Sequence, residues 1–441
     1  MNDEVVLFSL GYAIFSRKRR RLAARCFALV ALAVATHLHD FCEEIEQSLH
    51  IPRPVQARPP ISFYRRLLVD SRLSGTDHFF RHLHFPYLAF CGLVNRVSTK
   101  IPTSASFSSR DLVALVLYRL ANDATLLDCT RVFGSSEQNV DAHFWDTLLC
   151  IRRALSSYGP NGELPVVRWP TPAERAEFHS WIPHPGGVLV RHHADDERAR
   201  LRVAGRSKIV FIIDGTPFAV NRPRQSALRK ELFSKYRSTT CWNMNVVCDP
   251  RGRIIYVHTP HPGRHHDSRV YRSTPLALDP QLLLSDGECG LADAGYAMGG
   301  TPDPRLLVPF KKPPHGGQLS IAKRLYNKIL QHSRAVIEHV FGYMAWKWQA
   351  VGGKCPLHRI VRGSPVRQRG QLVFNPYEEV FVTCCMLTNL SMEAMGYIRD
   401  RSYYDGVKAA FLERAGREIW TGDEAIPPNA LDSDPVRAVF H

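Results

Sequence analysis

The sequence predicts an α/β fold class, with an all-α region ahead of a domain built on a mixed sheet. Up to about residue 158, apolar residues recur at a helical period, as at Leu112, Leu115 and Val116. From Lys208 to Ile213 the pattern becomes a continuous run rich in Ile and Val, which is typical of a buried strand. Strand-like and helix-like segments then alternate to about residue 349. The change of period near residue 208 therefore marks the start of the α/β domain.

The length and composition indicate several globular domains. A chain of 441 residues exceeds one ordinary core, so about two or three domains are expected. The hydrophobic fraction of 45% excludes wholesale disorder. Four parts are predicted: a basic helical leader with a Pro-rich linker (1–60), a helical domain with a connector (61–200), the α/β domain (201–395) and a C-terminal tail (396–441).

The charge balance favours a polyanionic partner. Lys and Arg number 57 against 41 Asp and Glu, and the formal net charge is +16. Nucleic acid is the expected partner, and the alternative is that the charge serves only solubility. The 11 cysteines form neither a CxxC pair nor a Cys/His comb, which argues against a disulfide framework and against a zinc finger. A reducing compartment, nucleus or cytosol, follows.

The N-terminal segment carries two features that bear on location. The basic run Arg17–Arg21 is either a nuclear-import patch or a solvated helix end. The apolar stretch Cys26–Ala35 has 10 residues, whereas a span across a bilayer needs about 20. We therefore expect no membrane association and a nuclear location, with the cytoplasm as the alternative.

Within the helical domain, three helices are predicted over Asp111–Leu120, Leu126–Phe133 and Glu137–Leu155. Ser135 and Gln138 have the spacing of a capping box at the start of the third helix. Three helices with a glycine-containing turn before the last are what a helix-turn-helix requires, although any small helical bundle shows the same pattern.

If this helix-turn-helix-like domain reads DNA, the base contacts would come from the start of its third helix. Polar side chains there can reach base edges in the major groove. The candidate residues are Gln138, Asn139 and His143.

The α/β domain has a recognisable order of elements. Three strands come first, then a helix, two further strands and a long helix, which is an RNase H-like order. The predicted elements are a strand at Lys208–Ile213, a hairpin of Asn243–Cys248 and Arg253–His258, a helix at Asp267–Tyr271, strands at Glu288–Ala292 and Arg305–Phe310, and a helix at Ile321–Gln349.

Four carboxylates occupy special places in this order: Asp214, Asp267, Asp293 and Glu338. Carboxylates are hard oxygen ligands that suit Mg²⁺ or Mn²⁺. In an RNase H-like sheet the first and fourth strands lie side by side, and a later helix places a third acid over their ends. This topology selects Asp214, Asp293 and Glu338 as the metal-binding and catalytic triad. Asp267 would add a metal ligand or hold an active-site water.

Each acid also has a purely structural interpretation. Asp214 precedes a glycine, as in many turns, and Asp267 could cap a helix. Glu338 follows Arg334 by four residues, so the two could form a surface ion pair on one helix. Two nearby acids compete with Asp293 for its place: Asp286 and Glu288.

These residues carry a family resemblance. The segment from about 205 to 392 resembles the DDE endonuclease domain of PIF/Harbinger-type transposases, and the region upstream, with Arg168–Thr171, fits the family layout from about residue 75. The blocks that resemble the family occur in its order: Ile213–Thr216, Pro262–Arg269, Ala292–Tyr296, Pro309–Pro313, Arg334–Gly342 and Cys384–Asn389.

The resemblance implies a metal-dependent DNA endonuclease of transposon origin. Two divalent ions, Mg²⁺ or Mn²⁺, would be held by the triad with Asp267, and the same centre could join strands after cutting. The alternative is a host-adopted relative that binds DNA or a protein partner without cutting. A separate Myb-like DNA-binding protein and a homo-oligomer are further expected partners. Four cations are expected against the DNA backbone: Lys311, Lys312, Arg334 and Lys347.

The sequence departs from the family pattern at four positions. Gln331 stands where the family often has Tyr, Thr388 where it has His, and Arg264 where it has Ser. The basic residue expected about seven positions after Glu338 falls on Ala345, with Lys347 two positions further along. All four acids are nevertheless present.

Overall fold

A computed structural model of the chain describes thirteen segments between residues 62 and 405: 62–74, 77–101, 107–159, 162–182, 208–220, 222–223, 225–258, 260–297, 303–312, 317–319, 321–352, 366–368 and 371–405. The basic run at 17–21, the apolar stretch at 26–35 and most of the predicted tail lie outside these segments. All the described residues belong to one unit, 57–441. The domain boundaries near 60, 200 and 395 stay predictions.

Seven helices, α1 to α7, are described before the sheet begins. They are Phe63–Ser74, His78–Leu83, Tyr87–Val97, Ser109–Asn122, Leu126–Phe133, Glu137–Ser156 and Pro172–Phe178. Helices α4, α5 and α6 match the three helices that the sequence predicts. The helix-turn-helix-like character of the region stays a prediction.

The capping of α6 differs from the expectation in register. Its N-cap is Ser136, whose hydroxyl accepts a hydrogen bond from the backbone N–H of Asn139. The predicted capping box of Ser135 and Gln138 is therefore wrong by one residue. Capping boxes do begin α4, at Ser108, and α5, at Thr125. In both cases an aspartate at the third helical position returns a bond to the capping residue, which satisfies otherwise free N–H groups.

The α/β region is organised by a seven-stranded sheet with the order β2-β3-β1-β6-β7, in which β4 and β5 also pair with β3. The strands are β1 (Lys208–Ala219), β2 (Phe233–Ser234), β3 (Thr239–Cys248), β4 (Ile254–Val257), β5 (His261–Pro262), β6 (Glu288–Leu291) and β7 (Leu306–Leu307). The α/β fold class is confirmed. Strand β1 is antiparallel to β3 and parallel to β6, so the predicted neighbours, the first and fourth predicted strands, do lie side by side.

Further elements were either shorter than predicted or not predicted. The strand expected over Arg305–Phe310 contains only the two residues of β7. Helix α8 (Ser226–Leu232) and strand β2 form an excursion between β1 and β3 that the sequence did not predict. The predicted helix near Asp267 is present as α9 (Asp267–Tyr271), and α10 follows over Pro275–Leu278.

The long helix α11 (Ile321–Lys347) covers one face of the sheet, as predicted. Its Ile329 and Val336 share a buried cluster with Ile212 of β1. The other face of β1, represented by Phe211, shares a second cluster with Tyr271 of α9. Because both faces are covered, residues 209–213 are all buried, which explains their continuous apolar run.

The chain continues beyond α11 with α12 (Gln349–Gly352), a separate two-stranded pair of β8 (Val366–Gln368) and β9 (Gln371–Phe374), and α13 (Pro376–Ala394). A large cluster of buried side chains contains residues from helices α1 to α6, from β1 and β3, and from α13. None of the described helices is long and apolar enough to cross a membrane.

Asn389 of α13 connects three parts of this core. Its Oδ1 accepts a hydrogen bond of 2.9 Å from the N–H of Ile254 in β4. Its Nδ2 donates to the carbonyl oxygens of Ile254 at 2.8 Å and Val166 at 3.1 Å. The side chain is 1% exposed. It therefore satisfies buried backbone groups on an edge strand and on the segment that follows α6.

Replacing Asn389 with Ala should lower the free energy of unfolding by roughly 2–5 kcal/mol, because three buried backbone groups lose their partner. Urea unfolding followed by circular dichroism measures the change. Asn139→Ala, at an exposed helical position, is the matched control and should change stability by less than about 0.5 kcal/mol. Equal losses in the two variants would contradict the role assigned to Asn389.

Candidate active site

The four predicted carboxylates all line one cavity of about 1290 Å³. Asp214 comes from β1, Asp267 from the first position of α9, and Glu338 from α11. Asp293 lies two residues beyond the end of β6. The two parallel strands and the helix that crosses them thus bring side chains that are up to 124 residues apart in sequence to one place.

Asp214 lies inside its strand rather than at the end. Strand β1 continues to Ala219, and Asp214 pairs with Val246 of β3. The strand predicted over Lys208–Ile213 is therefore too short, and the interpretation of Asp214 as a turn residue is wrong. The carboxylate accepts hydrogen bonds from the Gly215 N–H at 2.9 Å and from Nη2 of Arg334 at 3.0 Å.

Burial raises the pKa of Asp214 to about 6, and this effect outweighs the opposing charge of Arg334. The neighbouring carboxylates of Asp293 and Asp267 raise it further, whereas the Gly215 N–H lowers it. Three carboxylates that repel one another therefore share one poorly solvated space. A raised carboxylate pKa in a cavity is a common sign of a functional site.

Asp267 is held in place by a side chain of β3. Its Oδ1 accepts a hydrogen bond of 2.7 Å from Nδ2 of Asn243 in β3. A Cβ atom at position 215 would overlap the Asp267 carboxylate, so the approach requires Gly215. Burial raises the pKa of Asp267, Asn243 lowers it and Asp293 raises it. The N-cap of α9 is His266, so Asp267 is not the residue that caps the helix.

Asp293 and Glu338 differ in how they are held. Oδ1 of Asp293 accepts a hydrogen bond of 2.7 Å from the Gly295 N–H in the turn that follows β6. Glu338 is exposed on α11, one helical turn after Arg334. The suggestion of a surface ion pair between Arg334 and Glu338 is wrong for Arg334. This residue is 9% exposed and contacts Asp214 instead.

The donor set fits a hard divalent cation. Asp214, Asp267 and Asp293 offer carboxylate oxygens that a cation of this type prefers, and a positive ion would relieve their mutual repulsion. The buried Oδ1 of Asn243 accepts no hydrogen bond from a described residue and adds a further oxygen beside Asp267. Within the described segments, no three His, Cys, Asp or Glu side chains are arranged as a ready-made metal site.

The four cations expected to bind DNA occupy different environments. Lys311 is exposed and lines the cavity. Arg334 also lines the cavity and is paired with Asp214. Lys312 is exposed but is not part of the cavity lining.

The prediction for Lys347 is wrong. Its side chain is fully buried, and Nζ donates a hydrogen bond of 2.8 Å to the carbonyl oxygen of His84. Aromatic rings of Phe80, Tyr343 and Trp346 lie around the ammonium group, the nearest at 4.1 Å. Burial lowers the pKa of Lys347 to about 8. The residue therefore joins α11 to the chain that follows α2 and does not contact DNA.

The candidate base-reading residues lie away from the cavity. Gln138 and Asn139 are exposed in the first turn of α6, while His143 is half-buried with its ring 5.1 Å from that of Phe107. None of the three lines the cavity. Their role in reading DNA stays a prediction.

Sequence reasoning missed a set of basic residues in the excursion between β1 and β3. Five of them line the cavity: Arg222, Arg229, Lys230, Lys235 and Arg237. The signal was present as a high local density of Lys and Arg, but without a predicted structure for the segment it could not be placed. Asn243 was missed as well, because its partner Asp267 is 24 residues away in the sequence.

The comparisons with known proteins agree on one kind of domain. Residues 213–389 match the family model described as DDE superfamily endonuclease. The chain is 22% identical over 193 residues to the Rattus norvegicus protein named "Putative nuclease HARBI1", an alignment that covers 43% of this chain and 48% of that protein. The Homo sapiens protein of the same name is 23% identical over the same coverage. The chain thus spans about half the length of these curated relatives. No solved structure matches it.

The raised pKa of Asp214 predicts a specific pH dependence in the absence of metal. Since the folded pKa, about 6, exceeds the ordinary value of 3.8, the folded chain holds this proton more tightly than the unfolded chain. The free energy of unfolding should therefore fall as pH rises from 3.8 towards 6, by on the order of 3 kcal/mol from this residue.

Asp214→Asn should remove that part of the slope, measured by urea unfolding in EDTA between pH 4 and 7. Asp286→Asn is the matched control because Asp286 is exposed and outside the cavity. If the free energy of unfolding changed with pH in the same way in the wild type and in the Asp214 variant, the assigned pKa would be ruled out.

Proposed function

We propose that the protein is a divalent-metal-dependent DNA endonuclease of transposon origin, because residues 213–389 match the family model described as DDE superfamily endonuclease. The observation that carries the proposal is the composition of one cavity. Its lining contains partly buried carboxylates that repel one another, and it also contains several Lys and Arg side chains. The acids suit metal ions, and the cations suit the phosphates of a nucleic acid.

In this proposal Asp214, Asp293 and Glu338 hold the metal, and Asp267 is an additional ligand. When bound, divalent cations supply Lewis-acid stabilisation to a phosphodiester under attack and lower the pKa of water. The role of Asp267 as an additional ligand is supported by its repulsion with the other carboxylates. Asp267 raises the pKa of Asp214, and Asp293 raises the pKa of Asp267. Glu338 faces the same cavity from α11 and can approach by a change of rotamer, because its side chain is exposed.

Other side chains prepare this centre. Arg334 holds the Asp214 carboxylate and lowers its pKa against the effect of burial. Asn243 fixes Asp267, and Gly215 leaves the space that this carboxylate needs. These contacts hold the acids in a defined arrangement before any ligand arrives, which reduces the cost of organising them during the reaction.

The cations on the cavity wall would bind the DNA backbone. Lys311, Arg229 and Lys235 all line the cavity. Neither Lys235 nor Lys311 forms an ion pair with a described carboxylate, and both are exposed. Contacts of this kind add affinity without choosing a sequence.

The finer features of the proposal come from the resemblance to PIF/Harbinger-type transposases. They are the use of two ions, strand joining after cutting, a nuclear location, a Myb-like partner protein and a homo-oligomer. A second candidate function is DNA binding without cutting, which is favoured by the departures from the family pattern at Gln331, Ala345 and Thr388. Both candidate functions use the same cavity-lining cations, and a cleavage assay distinguishes the two functions.

Isosteric replacement of each proposed ligand tests the centre. Asp214→Asn, Asp293→Asn and Glu338→Gln should each reduce Mn²⁺-dependent nicking of supercoiled DNA by at least about a hundredfold, since each removes a charged ligand that stabilises the reaction. Asp267→Asn should reduce it less. Asp286→Asn is the control and should nick like the wild type. Undiminished nicking by the three triad variants would refute the assignment, and no nicking by the wild type would favour the binding-only candidate.

A salt titration tests the proposed backbone contacts. Lys311→Gln should reduce the slope of log affinity against log salt concentration by about 0.9, because one phosphate contact is lost. DNA binding is measured in EDTA by fluorescence anisotropy. Lys208→Gln is the matched control, because Lys208 is exposed at the start of β1 and outside the cavity. A slope unchanged by the first variant, or reduced equally by the second, would contradict the assignment.

A further inference from the structure

Tyr236 is an exposed aromatic side chain at the wall of the acid-containing cavity. It is 88% exposed, the highest value among the large apolar side chains that the structure describes. Within this exposed set, only Phe233 and Tyr236 line the cavity. A single exposed aromatic side chain is not unusual in itself. This ring, however, lies at the wall of the acid-containing cavity, where it can contact a ligand.

The turn that carries Tyr236 is held in place. It joins β2 to β3, and the two strands pair at Phe233–Thr240 and Ser234–Thr239. Ser238 closes the turn with a φ of 51°, in the left-handed region that favours glycine. The N–H of Arg237 donates to Oγ of Ser234 at 3.4 Å. The ring thus lies on the turn of a short hairpin.

The same turn is linked to the carboxylate cluster. Nη2 of Arg237 lies 3.4 Å from the carbonyl oxygen of Gly215, the residue that follows Asp214. Lys235 and Arg237 flank Tyr236, and all three are exposed and line the cavity. One exposed ring between two cations, a short distance from an acidic centre, can bind a base and its neighbouring phosphates together.

The cavity also suits a nucleic acid better than a small ligand. Its volume of about 1290 Å³ exceeds the roughly 300–1,000 Å³ of ordinary small-molecule pockets. A stacked duplex presents base edges and phosphates to a protein, but not base faces. A tyrosine ring can therefore stack only on a base that has left the helical stack or is unpaired.

We propose that Tyr236 is an aromatic platform for an unstacked DNA base adjoining the phosphate at the carboxylate centre, with Lys235 and Arg237 contacting the phosphates on either side of that base. This inference rests on the proposed function. It adds a substrate feature to it: DNA that is locally unpaired or distorted next to the cut, rather than a fully stacked duplex.

Binding of the full-length chain to two fluorescein-labelled DNAs in EDTA tests the platform. One DNA is a fully paired duplex, and the other has the same sequence with a central three-nucleotide bulge that carries 2-aminopurine. The wild type should bind the bulged DNA more tightly and quench the 2-aminopurine fluorescence by stacking. Tyr236→Ala should weaken binding of the bulged DNA by about 5- to 150-fold and abolish quenching.

Two variants serve as controls. Tyr236→Phe keeps the ring and should bind and quench like the wild type. Tyr158→Ala removes a tyrosine that is 67% exposed and outside the cavity, and should also behave like the wild type. Since Tyr236 is exposed, its variants should unfold at the wild-type urea midpoint, which verifies that they are folded.

The outcomes separate this inference from the proposed function. If the wild type binds and nicks DNA but Tyr236→Ala binds and quenches equally well, the platform is wrong and the nuclease proposal stands. Equal affinity of the wild type for paired and bulged DNA would also overturn the platform. If the wild type binds neither DNA, both proposals fail.

Discussion

The contact between Asp214 and Arg334 is the interaction on which the candidate site depends. It joins the central strand β1 to the long helix α11 across 120 residues of sequence, with both side chains largely buried. A buried ion pair is seldom an efficient source of stability, because desolvation offsets much of its attraction. Its main consequence here is geometric. With Arg334 fixed on Asp214, the next turn of α11 places Glu338 at the same cavity.

The remaining charges of the site follow from this constraint. Burial raises the pKa values of Asp214 and Asp267. One arginine does not neutralise three carboxylates, and the pKa values therefore stay raised. The same cavity is lined by this excess negative charge and by the cations Lys235 and Lys311. A metal ion would stabilise the first group and DNA phosphates the second. The two kinds of ligand therefore complement different parts of one cavity.

The sequence predicted the elements that depend on local pattern and failed where distant contacts decide. The order of the strands along the chain and the position of α11 were predicted from apolar periodicity and from the positions of the acids. The extent of β1 was not, since residues after Gly215 stay in the strand only by pairing with β3, as Pro217 does with Asn243. The position of the basic excursion, α8 and β2, likewise depends on pairing with β3. Lys347 was assigned from its spacing to Glu338, but its environment comes from His84, 263 residues earlier.

Two of the departures from the family pattern, at Ala345 and Thr388, can be understood as packing differences on the far part of α11. Ala345 stands where the resemblance predicts a basic residue, and α12 lies so close that a Cβ at Gly352 would overlap the backbone of Ala345. Small residues on both sides permit this approach. Thr388 accepts a hydrogen bond of 3.0 Å from Nε1 of Trp348, in the same buried region. Neither Ala345 nor Thr388 lines the cavity. These substitutions therefore alter how α11 meets α12 and α13, and they leave the arrangement of the four acids to the contact between Asp214 and Arg334.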